Sequence, residues 1–256
     1  MVIGSKCNNL SDHANRDGFH VSLRTPAIHL MRALLCLLLL LSSIYGEDKK
    51  SSREEGQFDI FIDGKEVGRE KFTIITSADA VSSNSTLNFR NPGKQQRNVR
   101  METQLDMDGQ YVPKAYMLRS EVDGEKGMIK GTFVPNEARF EYQGNGNPRV
   151  RGLPVGDRYI VLDTNVFHHF TFVARLFDIG AGKSQSIEAV IPQELDSGTL
   201  KINEVSLEIV SVKGKKRQLH HLRTDTGLFM IDLWVDDQRN LYKIALPLKK
   251  IEVIRD

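Results

Sequence analysis

Cysteine and net charge are both scarce in this sequence, and each scarcity excludes a class of protein. The chain has 2 cysteines, Cys7 and Cys36, and both precede position 47. The rest of the chain therefore has neither disulfide bonds nor thiolate metal ligands, and its core alone must stabilise the fold. The formal net charge is only +2, which is too small to predict nucleic-acid binding.

Long hydrophobic runs and catalytic motifs are also few. The one prominent apolar run, ALLCLLLLL from Ala33 to Leu41, is shorter than the ~20 residues that a membrane-spanning helix needs. The sequence contains no Gly-x-Ser-x-Gly elbow, no HExxH and no phosphate-binding loop. No motif therefore supports a hydrolase, and we predict no cofactor.

The apolar run predicts a secretory signal peptide. Arg32 precedes it, and Ser42, Ser43 and Gly46 follow it, which is the order of basic, apolar and small residues in such a leader. We interpret residues 1–46 as an upstream extension plus signal peptide, with Met31 as the start. Residues 47–56 are then a charged tether, and 57–256 a single β-rich domain. This predicts a periplasmic or secreted protein.

Alternating polar and apolar residues dominate positions 57–256. Three Asp-Gly pairs, beginning at Asp63, Asp108 and Asp123, separate alternating runs, and such pairs favour tight hairpin turns. This succession of hairpins predicts an antiparallel meander and not βαβ units.

The stretch 163–179 is the clearest helix candidate. Val166, Phe170, Val173 and Phe177 recur on one helical face, although their aromatic and β-branched content leaves a strand at 170–177 as the alternative. A helix with so few polar positions is expected to be buried. We therefore predict a mainly β fold: an antiparallel curved sheet or open half-barrel, with one central apolar helix at about 163–179 packed in its concave face.

Three segments carry a resemblance to a known class of protein. They are FDIFIDGKEVGREKFTI from Phe58, LDTNVFHHF from Leu162 and LWVDDQRNLYKIALPLKKIEV from Leu233. Together they resemble exported bacterial β-domains of unknown function, which are distantly similar in fold to the lipoprotein-carrier proteins of the cell envelope. The resemblance implies an envelope location and an open half-barrel, and it implies no catalytic residue.

Two His-His pairs are the main candidates for chemistry, His168-His169 and His220-His221. Neighbouring residues diverge on a helix and point to opposite faces of a strand, so neither pair can chelate a metal alone. A zinc site would need one histidine from each pair plus a carboxylate such as Asp163 or Asp225. The competing expectation is one buried and one exposed histidine in each pair, and we assign no metal-binding and no catalytic residue.

The helix face supplies the predicted ligand site. Phe167, Phe170 and Ala174 would form apolar walls, and Asn165, four residues before His169, would pair with it at the polar end. The sequence thus predicts a non-catalytic envelope protein that binds a lipid-like apolar small molecule or an envelope protein. The alternatives are a structural or interaction domain with a self-filled core, and a histidine-based hydrolase or metal protein.

Three basic clusters suggest one further contact. They lie at predicted turns, at 94–97, 149–151 and 213–217. If all three met on one rim of the sheet, they would favour peripheral contact with anionic lipid headgroups.

Overall fold

The computed structural model describes residues 51–91, 97–144 and 146–256. The predicted extension and signal peptide, 1–46, lie outside the described residues. The first strand begins at Ser52, so the second half of the predicted tether 47–56 is ordered strand. Its charges are neutralised there: Glu54 forms ion pairs with Arg175 and with Arg255.

Strands make up most of the described chain, with one short α-helix between the ninth and tenth. In chain order the strands are β1 Ser52–Ile62, β2 Lys65–Thr76, β3 Ala80–Asn91, β4 Arg97–Asp108, β5 Pro113–Val122, β6 Glu125–Val134, β7 Glu137–Gln143, β8 Arg149–Pro154, β9 Tyr159–Val161, β10 Gln185–Ile191, β11 Asp196–Val212, β12 Lys215–Asp225, β13 Met230–Val235, β14 Leu241–Leu246 and β15 Ile251–Arg255. Helix α1 is Phe170–Leu176, and 3₁₀ turns cover Phe167–His169, Ile179–Ala181 and Pro247–Lys249.

All 15 strands form one sheet in which nearly every neighbour is also a neighbour in sequence. The order is β8-β7-β6-β5-β4-β3-β2-β1-β15-β14-β13-β12-β11-β10-β9. The first and last strands pair in the middle of the sheet, with Phe58 opposite Arg255 and Ile62 opposite Ile251. Every pair is antiparallel except the parallel β9–β10 pair. The predicted antiparallel meander is confirmed.

Two of the three Asp-Gly pairs make the predicted tight turns. Asp63 and Gly64 have φ 51° and 74°, and Asp123 and Gly124 have φ 51° and 92°, which suits a turn with two positive φ values. Asp108-Gly109 instead opens a longer β4–β5 loop. Its positive φ falls at Tyr111, and the Asp108 carboxylate accepts the N–H groups of Gln110 and Val112.

The sheet is open, and it curls so far that the edge strand β9 lies on its concave side. The two edge strands, β8 and β9, follow each other in the chain but do not pair. The ring of Tyr159 on β9 lies 6.1 Å from the ring of Phe133 on β6. Tyr142 on β7 donates its hydroxyl to the Pro192 carbonyl at 2.7 Å. Strand β9 and the residue that follows β10 therefore contact β6 and β7 across the sheet, and the predicted curved, open sheet is confirmed.

The central helix is confirmed, and it is shorter than the predicted 163–179. The α-helix begins at Phe170 after the 3₁₀ turn, and Phe177 is already extended at φ −74° and ψ 127°. Asn165 adopts a left-handed φ of 61°, which breaks any helix before it. Asp163 does not cap the helix, because its carboxylate is bound elsewhere, as described below.

The β11–β12 hairpin contributes a second layer on the convex face. The pairing of β11 with β12 shifts between Glu204 and Ser206, so Val205 is a bulge residue that bends the strand. Beyond this bend, Lys213 at the hairpin tip forms an ion pair with Asp59 on β1. We call residues 206–219 the hairpin arm. It crosses outside β13, β14 and β15, because those strands lie between β12 and β1.

Among residues 51–91, 97–144 and 146–256, no helix has the length and apolar character to cross a membrane.

Candidate functional site

The 3₁₀ turn before helix α1 places two adjacent histidines against the concave face of the sheet. His168 and His169 are both fully buried, at 0% exposure. Our expectation of one buried and one exposed histidine is therefore wrong for this pair. The reason is the curl of the sheet, which surrounds this turn and leaves the two histidine side chains no route to solvent. Each histidine must therefore find its hydrogen-bond partners inside the protein.

His168 lies in a chain of three buried polar side chains. The Glu70 carboxylate on β2 accepts the backbone N–H of His168 at 3.0 Å and lies 2.7 Å from its Nδ1. The other ring nitrogen, Nε2, is 3.3 Å from Oγ of Ser83 on β3. With the carboxylate ionised, Nδ1–H donates to Glu70 and Nε2 accepts from Ser83. The sheet thus binds the 3₁₀ turn through two bonds to one carboxylate.

The order carboxylate, histidine, serine is also that of a hydrolase triad. Glu70, His168 and Ser83 are each 0% exposed, so Ser83 Oγ is closed to any substrate in this conformation. Phe72 stacks on the His168 ring, with centroids 5.8 Å apart. The geometry serves as an anchor between helix and sheet.

Asp163 is the centre of a second buried network. Tyr116 on β5 donates its hydroxyl to Oδ2 at 2.6 Å. Oδ1 accepts the backbone N–H groups of Thr164 and Gln193, both at 2.9 Å. Burial raises the pKa of Asp163 to about 6, against the lowering effect of these hydrogen bonds. This carboxylate holds the segment before the helix against β5 and against the β10–β11 turn.

His169 is bonded at one nitrogen only. Its Nδ1 accepts the backbone N–H of Asp163 at 3.3 Å, so the proton lies on Nε2. Among the described residues, that Nε2 has no hydrogen-bond partner, and neither has the buried Oγ1 of Thr171. Burial, with a smaller effect from His168, lowers the pKa of His169 well below its usual value. The side chain is therefore neutral and presents one unsatisfied buried donor.

The five residues of the predicted ligand site do not all meet. Phe167, His169, Phe170 and Ala174 are buried around the helix, whereas Asn165 is exposed. The predicted pairing of Asn165 with His169 is wrong, because it assumed a continuous helix from 163. In the structure the backbone N–H of Asp163 fills that place. Whether the four buried residues bind a ligand stays a prediction.

The concave face around the helix is filled by side chains of the protein. Phe172, Val173 and Ala174 are each 0% exposed. The Phe172 ring lies 5.8 Å from that of Tyr111 in the β4–β5 loop and 6.2 Å from those of His168 and His169. An apolar core at ordinary packing density leaves no open route to Ala174.

The second histidine pair lies on β12, where the two side chains point to opposite faces of the strand. His220 Nδ1 lies 2.6 Å from Glu204 and its Nε2 lies 2.9 Å from Asp237. Its pKa is raised: burial lowers it, and the hydrogen bonds and charges of the two carboxylates outweigh that effect. His221 points the opposite way and stacks on Trp234 with centroids 4.6 Å apart. Within the described ranges, no three His, Cys, Asp or Glu side chains gather as a metal site.

Sequence reasoning missed Glu70, Ser83 and Tyr116 as partners of the helix. One signal was present: Glu70 alternates with Phe72 and Ile74 on β2, and a charged residue on the apolar side of a strand needs a buried partner. Nothing in the sequence identified that partner as His168, which lies 98 positions further along the chain.

Comparison with known proteins supports the fold and adds no activity. No family model matches the chain, and no curated protein matches it by sequence. A solved β-barrel-like protein of the domain-of-unknown-function family DUF1849 from Brucella abortus is similar, with a TM-score of 0.55 and 12% identity. The match covers 79% of this chain and 94% of that one. The expectation of a β-domain of unknown function is confirmed.

A second solved structure is more distant. It is a DUF1089 family protein from Pseudomonas aeruginosa, with a TM-score of 0.45 and 14% identity over 67% of this chain and 86% of that chain.

Proposed function

We propose that this chain is an exported, non-catalytic domain of the cell envelope that acts through contacts on its outer surface. The signal-peptide pattern at 1–46 supports export. The filled concave face, with Ala174 at 0% exposure, is the observation that carries the rest. A carrier needs unfilled apolar volume beside its helix, and here the protein's own side chains occupy that place.

The two buried histidine networks fit this function. Glu70 and Asp163 fix the segment directly before the helix to the sheet and to the β10–β11 turn through four hydrogen bonds of 3.0 Å or less. A fixed helix stabilises the curl of a sheet whose edges do not pair. The outer surface is then a rigid platform for a partner, which lowers the entropic cost of binding.

One observation favours a second candidate, a lipid-like ligand held beside the helix. His169 Nε2 and Thr171 Oγ1 are buried polar atoms without a partner in the described residues. Leaving such groups unsatisfied costs about 1–3 kcal/mol each, and a ligand with a polar head would recover part of that cost. This candidate requires the core beside Ala174 to open.

The Ala174→Trp variant distinguishes the two functions. In a self-filled domain the larger side chain overfills the core and costs about 1–3 kcal/mol, and neither protein binds a fluorescent fatty-acid probe. In a carrier, the wild type binds the probe and the variant does not. Ala115→Trp is the matched control, because Ala115 is exposed on β5.

Probe binding to the wild type that Ala174→Trp abolishes and Ala115→Trp leaves intact would reject our first proposal. The envelope location is tested separately by N-terminal sequencing of the exported protein. We expect a first residue near Glu47, and a chain that retains the leucine run would contradict export by cleavage.

A further inference from the structure

One end of the sheet presents two leucines almost completely to solvent. Leu228, in the β12–β13 turn, is 85% exposed, and Leu248, in the β14–β15 turn, is 81% exposed. These two turns and the β1–β2 turn at Asp63-Gly64 lie side by side, because β12–β13, β14–β15 and β1–β2 are successive hairpins of the same sheet. We call residues 63–65, 226–230 and 247–250 the leucine rim.

The turns of the leucine rim are held together. The Lys249 ammonium in the β14–β15 turn lies 5.6 Å from the centroid of the Phe229 ring in the β12–β13 turn. Asp63 connects the β1–β2 turn to the β14–β15 turn, since its N–H donates to the Lys250 carbonyl at 2.9 Å. Its carboxylate also pairs with the Lys250 ammonium at 2.9 Å. The two leucines therefore project from connected turns.

The charge of the rim is positive where the leucines project. Lys65, Lys249 and Lys250 are all exposed. The acidic group within the rim, Asp63, pairs with Lys250, whereas the neighbouring Asp225 accepts the N–H of Gly227 at 2.8 Å and the neighbouring Glu66 pairs with Arg69 at 2.8 Å. Among the described residues, Lys249 has no carboxylate partner and lies over Phe229. Basic groups next to protruding leucines are complementary to a membrane surface, which has anionic headgroups outside and apolar acyl chains beneath them.

We propose that the leucine rim docks on the surface of an anionic phospholipid bilayer. Leu228 and Leu248 enter the boundary between headgroups and acyl chains, and Lys65 and Lys249 bind lipid phosphate groups. Met230, also exposed beside the β12–β13 turn, widens the apolar contact. The inference rests on the proposed function, because the leucine rim is the part of the outer surface that makes the contact.

A second copy of the chain is the less suitable occupant. Two such rims facing each other would bring like-charged lysines together, which disfavours the contact. The rim also differs from the predicted gathering of three basic clusters. The cluster at 213–217 lies at the other end of β12, where Lys213 is paired with Asp59 and Arg217 lies 4.4 Å above the Tyr242 ring.

Tryptophan fluorescence at the rim tests the proposal. The protein has 1 tryptophan, Trp234, which stacks on His221 on the convex face, so the difference between Leu228→Trp and wild type reports the rim alone. The exported protein is mixed with vesicles of phosphatidylglycerol and phosphatidylcholine. We expect a blue shift of the added tryptophan and its quenching by brominated acyl chains.

Two comparisons give the expected result its specificity. Ile209→Trp is the matched control, since Ile209 is 73% exposed on the hairpin arm, and it should show neither shift nor quenching. Adding Lys65→Glu and Lys249→Glu to Leu228→Trp should weaken vesicle binding at least ~10-fold, because each basic group near an anionic surface contributes about 1 kcal/mol.

Three results of the vesicle experiments would overturn the proposal. They are no shift for Leu228→Trp, an equal shift for Ile209→Trp, and equal binding to vesicles of phosphatidylcholine alone. A shift with membrane-free envelope proteins and none with vesicles would also overturn it, in favour of a protein partner. The fatty-acid probe experiment at Ala174 reports on the concave face, so failure of the rim and failure of the proposed function remain distinguishable.

Discussion

Glu70→Leu should be among the most destabilising single substitutions on β2. The Glu70 carboxylate accepts both the backbone N–H and the Nδ1–H of His168, at 3.0 and 2.7 Å, and both residues are 0% exposed. Each hydrogen bond to a charged group contributes about 1.5–3 kcal/mol. Glu70→Leu leaves these two buried donors without an acceptor, so we expect the loss of both bonds to cost about 3–6 kcal/mol.

A double-mutant cycle separates the pair from the volume change. In Glu70→Leu with His168→Phe, the backbone N–H of residue 168 loses its acceptor and the Ser83 hydroxyl loses His168 Nε2, as it also does in His168→Phe alone. The double variant should therefore lose less stability than the sum of the single variants, by about 1.5–3 kcal/mol. Glu66→Leu on the same strand is the matched control, because Glu66 is exposed and surface changes usually stay within ~0.5 kcal/mol.

Urea denaturation followed by far-ultraviolet circular dichroism measures the wild type and the four variants. A loss below about 1 kcal/mol for Glu70→Leu would mean that Glu70 and His168 are solvated. Additive losses in the cycle would mean that the pair has no coupling energy, and the account of a helix anchored by Glu70 would be wrong.

Three other predictions concern pH, packing and the hairpin arm. Burial raises the pKa of Asp163 from 3.8 to about 6, so between these pH values the native state holds a proton that the unfolded state releases. The stabilising effect of this proton is complete below pH ~4 and is lost as pH rises to ~6. Relative to Asp163→Asn, the wild type should therefore lose on the order of 3 kcal/mol across that window in urea melts; a flat difference would contradict this. Phe177→Ala should cost ~3–5 kcal/mol in the same assay, because Phe177 is 2% exposed, and a cost below ~1 kcal/mol would place it at the surface. Asp59→Asn should release Lys213 and speed amide exchange at 206–219 with little change elsewhere, and unchanged exchange would mean that other contacts hold the arm.

Periodicity in the sequence was sufficient to predict the class of fold. Side chains on a strand alternate between its two faces, so the sequence reveals a strand wherever one face is buried and the other faces solvent. Strand β4 from Met101 to Met107 is an example. The Asp-Gly turns at 63 and 123 were readable because few residues tolerate two successive positive φ values. Strand β8 at 149–154 was missed, and its residues 149–151 were placed at a predicted turn, because it is an exposed edge with Gly152 and Pro154 and has no alternation.

The candidate site was predictable only in part. Hydrophobic content correctly placed Phe167, Phe170 and Ala174 in a buried helix segment. The helical offset of four residues, applied to Asn165 and His169, failed because a left-handed residue lies between strand and helix. A single backbone angle of that kind has no signature in side-chain hydrophobicity.

Local patterns therefore determined which segments are strands, which segment is the helix and which of its residues are buried. Tertiary structure alone decided how the buried polar groups pair, because Glu70 with His168 and Tyr116 with Asp163 are 98 and 47 positions apart. It also decided that the sheet curls past its own edge and that the turns at 228 and 248 meet on one rim. These features depend on the accumulated twist and register of 15 strands, a property of the whole sheet that no short stretch of sequence contains.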